Sequence, residues 1–329
     1  MGELRRDPII GRWVIIDTEH PAGPNDFEKE AHTFRGGDCP FCYGNEQITP
    51  PEIEVIRDSG TEPNKPGWHV RVVANKFPAL QIEGELERRG IGLYDVTNGI
   101  GAHEVILQTP YHQKELSDLE EEEVENVLKM YCRRALDLRK DTRFKYILIF
   151  KNYGPSAGAS LEHPHTQLIA LPMIPKSVHE ELEGALNYFE YRERCIFCDI
   201  IRQELQEKER VIFENKFFIA FCPYVSRSPF EIWIIPKAHQ EAFCQLSYEQ
   251  TQELAKILKK TLQRVKDVLF NPAYNFIIHT SPINTEKKEG YHWHIEIMPK
   301  LMRVAGFEWG TGFYMVPTSP EAAAKYLKQ

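Results

Sequence analysis

Residues 163–172 read HPHTQLIALP, and residues 292–300 read HWHIEIMPK. Each is a His-x-His segment that opens a short apolar run ended by proline, the pattern of a strand. Working outward from them, the same landmarks recur in the same order. The first series is CPFC from Cys39, VRVVANKFPAL, HEVILQTPYH, a charged stretch, YILIFKN and HPHTQLIALP. The second is CIFC from Cys195, RVIFENKFFIAF, FEIWIIPKAH, a charged stretch, YNFIIHT and HWHIEIMPK. His112 and His239, Lys151 and His279, His163 and His292, and His165 and His294 are all 127 to 129 residues apart. So constant an offset marks an internal duplication. The two CxxC pairs lie further apart, so the first copy carries extra loop residues upstream, where insertion costs little.

The duplication sets the fold class. VRVVA, HEVILQT, YILIFK and QLIAL in the first copy, and RVIFE, FEIWIIP, YNFIIH and HIEIM in the second, are β-branched or aromatic runs bounded by turn residues. Residues 116–141 and 246–269 instead repeat their apolar positions every three or four residues, as an amphipathic helix does. Ser117 with Glu120, and Ser247 with Gln250, have the spacing of a capping box. The expectation is an α+β chain of two units, 1–190 and 191–329. Each unit carries an antiparallel sheet and one long helix, with a linking helix over 176–195, and the two units join through neighbouring sheet edges. The acidic run Glu120–Glu123 reads as the solvated face of the first helix.

Composition narrows the function. A formal charge of −8 leaves no broad basic surface for nucleic acid or anionic membranes, so an anionic substrate needs a local site. No apolar run reaches transmembrane length, and MGELRRDPIIGRW lacks the apolar stretch of a signal peptide, which points to the cytoplasm. Seven cysteines, four of them in two CxxC pairs, suit metal or redox chemistry better than a disulfide framework.

The chemistry gathers in two places. Cys39, Cys42, His112 and His163 form one ordered set, and Cys195, Cys198, His239 and His292 form another. Two thiolates and two imidazoles are the donor set that zinc favours. A CxxC pair is also a redox dithiol or simple packing, and the recurrence of the whole Cys-Cys-His-His order favours zinc. Cys132, Cys222 and Cys244 fall inside helix or strand patterns and read as core. The second place is GPSAGASLEHPHTQ, between the strand that ends near Asn152 and the one that starts at Leu168. Gly154 and Gly158 let the backbone approach a phosphate closely. Beside that loop, a neutral His165 imidazole is competent to attack phosphorus. Taken alone, the residues leave other readings open: His163 and His165 both as metal ligands, or His165 as a structural histidine, idle in a non-catalytic nucleotide- or metal-binding protein.

RRDPIIGRWVII, CPFC, ANKFPAL, FKNYGPSAGASLEHPHTQ and the second CxxC series together resemble the galactose-1-phosphate uridylyltransferase family of the histidine-triad superfamily, over nearly the whole chain. The resemblance implies two histidine-triad-like units, catalysis in the first and a structural second, and a homodimer. It implies a double displacement in which His165 takes the uridylyl group of UDP-glucose, releases glucose 1-phosphate and passes the group to galactose 1-phosphate. Gln167 is then the hydrogen-bond donor to the phosphoryl oxygens, and Asn75, Asn152, Gly158 and Ser160 are nucleotide and phosphate contacts. Asn75 and Asn152 also suit plain turn chemistry. Some members hold iron at the second site through residues matching Glu181, His279, His292 and His294, but the cysteines here favour zinc. The chain departs from the family pattern where His20 and Gly23 replace arginines, and where Tyr314 replaces a hexose-binding glutamate. WGTGFY and FEIWIIPKAH also resemble the related ADP-glucose phosphorylases, in which the same histidine chemistry moves an adenylyl group to phosphate.

Overall fold

The computed structural model describes residues 2–30, 39–285 and 290–329. The strands are β1 (Gly2–Arg6), β2 (Trp13–Asp17), β3 (Glu52–Arg57), β4 (Trp68–Ala74), β5 (Arg89–Ile91), β6 (Tyr94–Val96), β7 (Ala102–Leu107), β8 (Tyr146–Tyr153), β9 (His165–Leu171), β10 (Val211–Glu214), β11 (Phe218–Phe221), β12 (Ile232–Pro236), β13 (Tyr274–His279), β14 (His294–Pro299) and β15 (Tyr314–Val316). The helices are α1 (Glu121–Leu138), α2 (Lys176–Arg192), α3 (Ile196–Glu207), α4 (Tyr248–Val268), α5 (Gly306–Thr311) and α6 (Pro320–Lys328). The fold is α+β.

One ten-stranded sheet dominates, in the order β10-β11-β12-β14-β13-β8-β9-β7-β4-β3. Matched by landmark, β7, β9 and β8 correspond to β12, β14 and β13, and β4 and β3 hold the places of β11 and β10 in the sheet, so the order reads alike from either edge. The seam at the centre is an antiparallel pairing of β8 with β13, which sets Asn275 opposite Asn152 and Ile277 opposite Phe150. A strand added at a sheet edge satisfies its backbone groups and removes that edge from solvent. Every pairing within this sheet is antiparallel.

Helices α1 and α4 pack side by side on one face. Val124, Val127, Leu128 and Tyr131 of α1, and Leu254, Leu258, Leu262 and Val265 of α4, are buried there against Val72, Ile106, Ile149 and Leu168 of the sheet. The opposite face is covered partly by the two CxxC segments. Phe41 packs with Trp68, Val73, Val105 and Leu107, and Phe197 with Ile219, Phe221, Trp233 and Ile235.

Ser247 caps α4 as the sequence predicts: its Oγ accepts from Gln250 N–H at 3.2 Å, and Gln250 Oε1 accepts from Ser247 N–H at 2.9 Å. The expectation for Ser117 is corrected. Glu115–Leu119 forms a turn, with Asp118 N–H bonded to Glu115 O at 2.7 Å, so α1 starts later. Its first free amide, Glu120 N–H, is taken by Glu123 Oε2 at 2.8 Å. Beyond one long helix per half, the structure adds α3, which begins inside the second CxxC, and a small sheet, β1-β2-β15, in which the two chain ends meet. No described helix is long and apolar enough to cross a membrane.

Candidate active site and metal sites

The site is built on the first residues of β9, where the strand leaves the GPSAGASLEHP loop. His165 and Gln167 alternate onto the same face of the strand, while Thr166 turns to the helix side. There Thr166 Oγ1 meets Tyr131 Oη at 2.6 Å, and Gln108 Nε2 donates to Thr166 Oγ1 at 2.6 Å. Gln108 Oε1 in turn accepts from the buried Lys151 Nζ at 2.9 Å, whose ion-pair partner is Glu115 at 2.8 Å. This network fixes β9 from behind.

Two backbone carbonyls set the histidine tautomers. His165 Nδ1 lies 2.8 Å from the carbonyl of His163 and donates to it, so Nε2 carries the lone pair. His163 Nε2 donates to Thr109 O at 2.8 Å, which turns its Nδ1 lone pair toward Cys42 Sγ at 3.6 Å. The two histidines therefore diverge: His163 faces the cysteines, and His165 is left available. Burial, with a smaller contribution from the Lys151 cation, holds His165 down at about 4 against its bond to the His163 carbonyl. Its imidazole is neutral at pH 7. The Phe41 ring stands edge-on to it, with centroids 5.6 Å apart.

The ligand atoms of Cys39, Cys42, His112 and His163 all lie within 4.8 Å of one another, as do those of Cys195, Cys198, His239 and His292. His112 Nδ1 is 3.3 Å from Cys42 Sγ, and His239 Nδ1 and His292 Nδ1 are each 3.6 Å from Cys198 Sγ. Both sets fit zinc: two sulfurs and two imidazoles converge, and the His163 bond to Thr109 O is the outer contact that orients a metal-binding ring. In the metal-free dithiol, burial and the neighbouring Cys39 push Cys42 up to about 11, so binding a cation there displaces protons.

A third set gathers Glu181, His279, His294 and Glu296. The iron alternative that assigns His292 to this group is corrected. His292 faces Cys198, and Glu296 stands in its place, bonded to Arg227 Nη2 and 3.1 Å from His279 Nε2. Burial opposes charge on His279, but Glu296 and Glu181 outweigh it and raise the ring to about 10. Arg227 and a protonated His279 thus balance these carboxylates.

The remaining expected contacts are placed as follows. Gly158 has φ +86°, a conformation that favours glycine. Its N–H and that of Ala159 are bonded within the loop, to Pro155 O at 2.9 Å and Gly154 O at 3.1 Å, and so are not offered to a phosphate. Ser160 is exposed beside them. Asn152 Oδ1 accepts from Asn275 Nδ2 at 2.8 Å, and Asn275 also holds Ala157 O at 2.9 Å, so a residue of the second half braces the loop. Asn75 Oδ1 caps Phe77 N–H at 2.9 Å, and its Nδ2 is 3.0 Å from His103 Nε2. The same nitrogen of His103 lies 2.8 Å from Gln167 Oε1. Asn275 and His103 escape a reading of the sequence because only the pairings of β8 with β13 and β7 with β9 bring them in.

A buried, neutral histidine beside a glycine loop, on a strand tied to a Cys-Cys-His-His set, is an arrangement that suits nucleotidyl transfer through histidine. The chain belongs to the galactose-1-phosphate uridyl transferase family: residues 4–175 match its N-terminal domain and residues 181–323 its C-terminal domain. ADP-glucose phosphorylase of Arabidopsis thaliana is 37% identical over 334 residues, covering 99% of this chain and 92% of that protein. Galactose-1-phosphate uridylyltransferase of Thermotoga maritima is 28% identical over 342 residues, covering 100% and 98%. The crystal structure of an Arabidopsis thaliana ADP-glucose phosphorylase with bound ADP-glucose superposes with a TM-score of 0.85 at 35% identity, covering 100% of this chain and 98% of that one. A uridylyltransferase structure gives 0.77 at 28% identity, covering 100% and 97%.

Proposed function

We propose that the chain is an ADP-glucose phosphorylase-type adenylyltransferase. His165 Nε2 attacks the α-phosphorus of ADP-glucose, the bond to the bridging oxygen breaks and glucose 1-phosphate leaves. Inorganic phosphate then attacks the adenylyl-histidine, releasing ADP and the free imidazole. During attack the ring gains positive charge, and the His163 carbonyl on Nδ1–H stabilises it. Gln167 Nε2–H donates to the non-bridging oxygens, and Asn75, Asn152 and Ser160 line the nucleotide and phosphate path beside Gly158. The observation that carries this reading is the greater likeness, over the whole chain, to ADP-glucose phosphorylase than to the Thermotoga maritima uridylyltransferase, in identity (37% against 28%) and in superposition (0.85 against 0.77). Tyr314, in place of a hexose-binding glutamate, agrees with it. Uridylyl transfer to galactose 1-phosphate is the competing reading.

We assign one zinc ion to each Cys-Cys-His-His set, catalysis to residues 1–190 and a structural role to residues 191–329. The palindromic strand order supports descent of both from one duplicated unit. The matched bonds of His165 Nδ1 to His163 O and of His294 Nδ1 to His292 O, at 2.8 and 3.2 Å, support it too. The test is a comparison of kcat/KM for ADP-glucose with phosphate against that for UDP-glucose with galactose 1-phosphate. A preference for the first pair is expected, and a preference for the second overturns the adenylyl assignment.

A further inference from the structure

We propose that His103 is a positioning residue that fixes the orientation of the Gln167 carboxamide. The inference rests on the reading of Gln167 as a donor to the phosphoryl oxygens. A carboxamide presents an acceptor at one end and donors at the other, and a half-turn about its last bond exchanges them. Toward an anionic phosphoryl group only one orientation works. The Nε2–H group stabilises charge there, whereas Oε1 repels it.

The ring of His103 decides between the two. Ala79 N–H donates to His103 Nδ1 at 3.2 Å, so Nδ1 holds a lone pair and the proton of the neutral imidazole resides on Nε2. That proton faces Gln167 Oε1 at 2.8 Å. Asn75 Nδ2, 3.0 Å from the same nitrogen, is itself a donor because Asn75 Oδ1 is committed to Phe77 N–H, so its contact with Nε2–H is not a hydrogen bond and Gln167 Oε1 is the acceptor of that proton. Gln167 Oε1 is thereby tied, and among the described residues its Nε2 meets no protein acceptor. Reversing the amide would set a second N–H, besides that of Asn75, against His103 Nε2–H and lose the bond to Oε1.

The sheet register explains why this position serves. Val105 lies opposite Gln167, and His103, two residues earlier on β7, shares its face as a diagonal neighbour. The matching register in the second half sets Trp233 opposite Glu296, with Glu231 two residues earlier. There both positions are carboxylates, bridged by Arg227, which lies 3.0 Å from Glu231 and also bonds Glu296. The same pair of sites thus locks a side chain in each half. In the first half, the lock leaves a donor free.

The experiment is a double-mutant cycle of H103L, Q167A and H103L/Q167A, with H103Q as the conservative variant. It reads the single-turnover rate of nucleotidyl-enzyme formation and the Kd of ADP-glucose, or of UDP-glucose if that is the donor the wild type accepts. H103L is expected to slow the step about threefold to tenfold, the factor for one neutral hydrogen bond, with Kd little changed. H103Q, which again offers an N–H to Gln167, is expected to recover most of the rate. In the Q167A background H103L is expected to cost nothing further. A full additional loss in the double mutant shows a general structural role and overturns the proposal, as does an unslowed H103L beside a slowed Q167A. An unslowed Q167A overturns the assignment of Gln167 itself, and the orientation with it.

Discussion

His163 and His165 stand two residues apart on one segment, yet the carbonyls of Thr109 and His163 leave a different nitrogen free on each: Nδ1 on His163 and Nε2 on His165. If His165 forms the covalent adduct, His165→Gly is expected to abolish exchange between the nucleotide sugar and glucose 1-phosphate while leaving nucleotide affinity nearly intact, because the ring engages phosphorus chiefly in the reaction. Free imidazole, entering the space left by the ring, is expected to restore release of glucose 1-phosphate. Calorimetry and an exchange assay read the two effects separately. The pH profile follows from the same burial. With the His165 pKa lowered to about 4, the ring is neutral above that value, so the rate of the first half-reaction is expected to be flat between pH 5 and 8 and to fall only as pH drops through about 4. An inflection near the ordinary histidine value of about 6.5 would contradict this. Gln167→Ala is expected to slow both half-reactions by an amount on the order of 2–4 kcal/mol, the cost of a lost oxyanion donor, as measured by quenched-flow kinetics.

Elements differ in how far local sequence dictates them. α4 is fully legible: its apolar stripe is buried and Ser247 caps it, so Ser247→Ala is expected to cost ~1 kcal/mol in urea denaturation. α1 has the same stripe, but the Ser-x-x-Glu spacing at Ser117 misleads. Asp118, tied to Glu115 N–H at 3.1 Å and paired with Lys266, holds the preceding residues in a turn, and that Lys266 contact comes from α4. The two Cys-Cys-His-His sets were readable because their order recurs. His103 and Asn275 were not, although each lies in a recurring segment, HEVILQT and YNFIIHT, because their partners come from other strands. The glycine loop misled in a second way. Its glycines signal close backbone approach, but the Gly158 and Ala159 amides are consumed inside the turn.

At the scale of the molecule, the two halves share one sheet but not one chemistry. Cys39, Cys42, His112 and His163 support the His165 strand directly, whereas Cys195, Cys198, His239 and His292 support a strand whose His294 is wholly buried among Glu181, His279 and Glu296. Metal analysis is expected to give two zinc equivalents per chain, with one lost in Cys39→Ser and one in Cys195→Ser. A third equivalent would contradict the balance of the Glu181 set by Arg227 and His279. The constant offset points to a duplication, and the proposed division of labour between the copies turns on which side chains fill the space around His165 and His294. The most direct test of the account is to incubate the protein with α-³²P-labelled ADP-glucose, quench in alkali and map the acid-labile label. One adenylyl group per chain is expected, on His165, absent in His165→Gly. Label on His294, or none on any histidine during turnover, would contradict it.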